Sequence, residues 1–100
     1  MKRSAILILA AVLGSALAGC ASTRTLEAGC ATCIYHMQDV QGCELAVQVD
    51  GRAYLVKGVD MDDLGDAHAS DGLCNTARQV KAKGKLDGDY YAAEGITLIP

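Results

Sequence analysis

Neither phenylalanine nor tryptophan occurs in these 100 residues, so Tyr35, Tyr54, Tyr90 and Tyr91 supply all the aromatic bulk. The hydrophobic share of 51% overstates the interior, because much of it lies in one run near the N-terminus. A small domain with so thin a core is marginal on burial alone, and calls for a staple of disulfides or a bound metal. Of five cysteines, Cys20 falls to the N-terminal segment, and Cys30, Cys33, Cys43 and Cys74 remain to build one.

The N-terminus has the order of an export signal: Lys2 and Arg3 form a positive n-region, and Ala5 to Leu13 an apolar h-region. That run is shorter than the roughly 20 residues needed to span a hydrocarbon core. It predicts a cleaved signal helix over residues 1–19. Leu17-Ala18-Gly19-Cys20 resembles the lipobox of bacterial lipoproteins. In such sites the Cys thiol is acylated, the signal is cut before it, and the new amine takes a further chain such as palmitate. Two or three acyl chains anchor far more firmly than one. The alternative is an ordinary signal peptidase site with Cys20 incidental.

Removing 19 of the 100 residues leaves 81, with seven basic against twelve acidic side chains, a net charge of −5. This excludes nucleic acid as a partner and a polybasic membrane patch, leaving acyl chains on Cys20 as the expected membrane attachment. No protein partner is legible. The expected location is the cell envelope, lipid-anchored and periplasm-facing. Ala21 lacks the Asp that retains lipoproteins at the inner membrane of some Gram-negative bacteria, which makes the outer membrane the default.

Residues 20–29 are short of large apolar groups and read as a lipidated tether. Residues 30–100 read as one β-rich domain carrying the Cys and His residues. Two alternating runs around Asp50-Gly51 predict a hairpin with Val47 opposite Tyr54, Leu45 opposite Val56 and Cys43 on the inner face. A second hairpin is predicted at Asp87-Gly88, with Lys81 facing Glu94, and a last strand over Ile96 to Ile99. A short strand is expected near Ile34 to Met37, and a helix over Gly72 to Gln79 capped by Asp71. Asp60 to Ala69 reads as a helical turn or ordered loop. This order predicts a small β-rich α+β domain, an OB-like five-stranded barrel with one short helix.

All nitrogen and sulfur ligands lie in Cys30-x-x-Cys33, His36, Cys43, His68 and Cys74. A Cys-x-x-Cys turn can aim two thiolates at one ion, and Zn²⁺ wants four ligands in a tetrahedron. The first reading is a transition-metal site, Zn or Cu, with Cys30, Cys33, His68 and Cys74 as ligands, and Cys43 and His36 as further candidates. Asp66 or Asp71 could orient His68. The second reading pairs Cys30, Cys33, Cys43 and Cys74 as two disulfides of a structural or interaction module. A third makes Cys30 and Cys33 a redox pair, against which stands the missing βαβ context. Asp60 to Asp71 superficially resembles a calcium loop, but Leu64 stands where an oxygen donor is needed and Asp71 where a bidentate Glu is needed. No nucleophilic catalytic set or phosphate loop is present, so the sequence leans away from an enzyme.

Cys30-x-x-Cys33, Gly42-Cys43-x-Leu45-Ala46, Val49-Asp50-Gly51 and Asp62-Asp63-x-Gly65-Asp66-Ala67-His68-Ala69-x-Asp71-Gly72-x-Cys74 together resemble a small Cys-rich bacterial domain family of unknown function. The resemblance spans about residues 30–99. Some members bear the label glutaminyl-tRNA synthetase, an activity that this length, charge and export signal exclude. The family often has His where this chain has Leu64. What the resemblance implies is a shared set of cysteines, His and aspartates, with no activity attached.

Overall fold

The computed structural model describes residues 21–100; the signal expected over 1–19 and the lipidation site expected at Cys20 lie outside the described residues. Five strands close a barrel: β1 (Ser22–Cys30), β2 (Leu45–Val49), β3 (Arg52–Lys57), β4 (Arg78–Asp87) and β5 (Tyr90–Leu98). Their order around the barrel is β1-β2-β3-β5-β4, with β1 against β4 closing it. All pairings are antiparallel except β3 with β5. The closed five-stranded barrel is the architecture expected.

The β2–β3 turn follows directly from its sequence. Asp50 and Gly51 have φ of 51° and 87°, the paired positive angles of a type I′ turn, which Asp tolerates and Gly accepts without strain. Val47 pairs with Tyr54 as expected. The second hairpin differs slightly: Asp87 pairs with Tyr90, so the loop is Gly88-Asp89. A bulge beside Lys83 and Gly84 shifts the register, so that Lys81 opposes Thr97, and it is Lys83 that reaches Glu94, at 3.6 Å. The separate last strand merges into a continuous β5.

The expected tether is instead β1. Small inward residues are what a narrow barrel interior admits: Leu26, Ala28 and Cys30 point in, while β1 pairs with β2 on one side and β4 on the other. Leu45, Val47, Val49, Val80, Ala82 and Tyr91 complete the interior. Met61, Ala67 and Leu73, from the β3–β4 connection, join the same cluster.

That connection holds the only helical element among the described residues, a 3₁₀ turn over Met61–Leu64. Asp63 accepts the Asp60 N–H at 3.0 Å, so these aspartates cap a turn. The helix expected over Gly72 to Gln79 does not form. Its backbone is tied back to the preceding loop: Cys74 N–H donates to Ala67 O, and the Asn75 amide donates to His68 O and Ala69 O. Asp71 pairs with Arg78 rather than capping. The strand expected over Ile34 to Met37 is likewise a turn, in which Ile34 N–H donates to Cys30 O and Met37 N–H to Ala31 O.

Candidate metal centre

β1 ends at Cys30, and hydrogen bonds at that point gather three chain segments. Cys30 N–H donates to Leu73 O at 2.9 Å, which draws in Cys74; Ala31 N–H donates to Glu44 O at 2.8 Å, which draws in Cys43. The pairing of Cys30 with Leu45 makes the same connection from the sheet. The turn after β1 brings Cys33 back over Cys30, and its N–H donates to Cys30 Sγ at 3.4 Å. Thr32 fixes this turn, its hydroxyl donating to Gly42 O at 2.8 Å and lying 3.4 Å from Cys30 Sγ.

The outcome is a cluster of four sulfurs, from Cys30, Cys33, Cys43 and Cys74, all within 4.8 Å of one another. Cys43 and Cys74 are joined as a disulfide across 31 positions, while Cys30 and Cys33 are thiols. Cys30 Sγ approaches Cys43 Sγ to 3.1 Å. Cys30 is fully buried and Cys33 is exposed.

Burial pushes the Cys30 thiol up, but the Thr32 hydroxyl and the backbone N–H groups of Cys33 and Thr32 outweigh it and leave its pKa below the ordinary value. Cys33 is pushed up, first by its hydrogen bond with Cys30 and then by the charge there. Of the two thiols, the buried Cys30 therefore gives up its proton more readily than Cys33.

Of the four ligands first expected, Cys30, Cys33 and Cys74 are brought together, and Cys43 takes the place given to His68. His68 is exposed; its N–H donates to Asp66 Oδ1 at 3.0 Å, and it lines a cleft of about 370 Å³ beside Cys43, with Asp60, Asp62 and Asp66. His36 sits apart in the β1–β2 loop, exposed and with a φ of 53°. Cys43 is exposed and not on the inner face that the alternation predicts; it stands two residues before Leu45, where β2 begins, and that place at the edge of the run is the sequence signal that favours it.

Behind the cluster, the half-buried Tyr35 hydroxyl donates to Glu27 Oε1 at 2.9 Å, linking the Cys-x-x-Cys turn to β1. Burial and then the Glu27 carboxylate push the phenol pKa well up, so Tyr35 stays protonated and donating. Its contribution is complete below pH 10.0, the ordinary value, and is lost only as pH rises through the raised one. Tyr35→Phe is expected to cost about 1–2 kcal/mol in urea unfolding at pH 7, with the fold intact.

Residues 24–99 match DUF6370, a family of unknown function. The chain belongs to that family. The matched span contains four cysteines, both histidines and all but the first two residues of β1, so the site is made entirely of DUF6370 residues. No curated protein and no solved structure matches the chain.

Proposed function

We propose that this protein is a lipid-anchored envelope lipoprotein whose four cysteines, as thiolates, hold one Zn²⁺ ion. The observation that carries the metal reading is the convergence of four sulfurs from three segments within 4.8 Å. At a Zn–S distance of about 2.3 Å, a tetrahedral site needs sulfurs roughly 3.8 Å apart, a small adjustment from this arrangement. N–H donation to Cys30 Sγ is the kind of outer contact that holds a thiolate ligand in place.

Four protein ligands close the coordination sphere, so the metal acts structurally and leaves no open position for catalysis. The disulfide between Cys43 and Cys74 is then the oxidised, metal-free form of the same site. Cu(I) takes soft thiolates too, but a closed set of four is the tetrahedral geometry of Zn²⁺, and cobalt reports that geometry. Reduced apo-protein titrated with Co²⁺ is expected to show the intense near-ultraviolet charge transfer of tetrahedral thiolate coordination, saturating at one equivalent and displaced by Zn²⁺. A cobalt spectrum of octahedral, oxygen-ligated type would reject the four-thiolate site.

The anchor rests on the resemblance of Leu17-Ala18-Gly19-Cys20 to a lipobox. The intact mass of the mature protein is expected to begin at Cys20 and to include acyl chains, and Cys20→Ser is expected to abolish both the acyl mass and the cut before residue 20; a parent protein cut at this site without acyl mass would reject the anchor.

A further inference from the structure

Ala21 alone separates Cys20 from the first residue of β1, Ser22. Two residues reach at most about 7 Å, so an acyl anchor on Cys20 leaves the barrel no room to stand off the bilayer. The end of the barrel that carries Ser22 must therefore meet the lipid. The β2–β3 turn and the β4–β5 hairpin lie at that same end, as the Arg24–Asp50 and Arg52–Asp89 ion pairs show.

β4 overshoots β1 there. Ser22 pairs with Gly84, and β4 continues through Lys85 and Leu86 to Asp87. Val80, Ala82 and Gly84 form its buried row, and Leu86 extends that row past the point where β1 covers it. Leu86 is 45% exposed and Tyr90, on the adjoining strand, 44% exposed; these are the exposed large hydrophobic side chains among the described residues. Charge at this end is nearly balanced and does not repel a lipid surface. Asp50, Asp87 and Asp89 are each paired with a cation, and Lys85 adds a positive charge. The acidic groups Glu44, Asp60, Asp62 and Asp66 lie instead around the cleft beside Cys43.

Resting on the Cys20 anchor proposed above, we infer that the β4–β5 hairpin is a membrane-contact surface, with Leu86 and Tyr90 seated at the lipid interface. Tyrosine favours that boundary, with an apolar ring and a polar tip. The Cys cluster then faces away from the bilayer, at the other end of β1, about 26 Å from Ser22 along a nine-residue strand.

The absence of tryptophan provides the probe. Tyr90→Trp and, at the opposite end, Gln38→Trp are made in the full chain, isolated with its lipid, and reconstituted into phosphatidylethanolamine–phosphatidylglycerol vesicles. Vesicle flotation and intact mass report the anchor separately. Brominated lipid is expected to quench the indole fluorescence of the Tyr90→Trp protein severalfold more than that of the Gln38→Trp protein, while aqueous acrylamide quenches the Gln38→Trp protein more. Equal quenching of the two variants, in protein that floats with the vesicles, overturns the contact surface and leaves the anchor standing. Failure to float, with no acyl mass on Cys20, overturns both.

Discussion

Cys74→Ser is expected to lower the unfolding free energy by at least several kcal/mol and to leave little cooperative structure at 37 °C. Loss of a disulfide from a small exported domain costs about 2–5 kcal/mol. A structural zinc contributes more, with apparent binding free energies of about 10–16 kcal/mol in small zinc domains, and a serine in place of one thiolate forfeits much of it. Either loss is large against a total stability of roughly 5–15 kcal/mol. The diagnostic partner is Cys33→Ser, which removes an exposed thiol outside the disulfide. If the metal is the staple, Cys33→Ser destabilises nearly as much as Cys74→Ser in urea unfolding with zinc present. A Cys33→Ser protein as stable as the parent would leave the Cys43–Cys74 bridge as the only staple.

Gly72→Ala is expected to weaken both the fold and the site, although residue 72 contributes no ligand. A Cβ there would overlap the backbone carbonyl oxygens of Ala67 and Asp66, neither of which can swing aside as a side chain does. Relieving the overlap moves the following residues, Leu73, whose carbonyl accepts the Cys30 N–H, and Cys74 itself. Forcing bulk into so close a contact costs about 1–3 kcal/mol. Disturbing the supports of a metal ligand typically weakens binding by about 10–100-fold. Competition with a chromophoric chelator should show that weakening in Gly72→Ala, while Gly95→Ala, where an added Cβ meets nothing within 4 Å, retains parental affinity.

The sequence was most legible where local chemistry decides. Asp50-Gly51 dictated its turn, and with it the pairing of Val47 and Tyr54. The five-stranded barrel was legible through the succession of hairpin, connection and hairpin, although its first strand was not. β1 escaped because its inward residues, Leu26, Ala28 and Cys30, are mostly small, and small residues signal a tether as readily as a narrow barrel. Long-range packing, invisible in local periodicity, identifies that strand. The helix over Gly72 to Gln79 fails for a related reason: an N-cap at Asp71 competes with hydrogen bonds to residues 67–69, which exist only once the loop folds back. At the site, the four cysteines were recognisable as a set, but proximity in sequence to Cys74 favoured His68 over Cys43. The register of β1 with β2 reverses that preference by placing Cys43 beside Cys30.

The central claim is that the cysteines of this DUF6370 domain form one four-thiolate metal site, and metal content measured alongside intact mass tests it most directly. Protein isolated without chelator under anaerobic conditions is expected to carry one zinc per chain. Its native mass should include the metal, and four thiols should become reactive when the zinc is withdrawn. Well under one equivalent of zinc and copper, with an intact mass that rises by two protons on reduction, would contradict it and leave a disulfide-stapled barrel in its place.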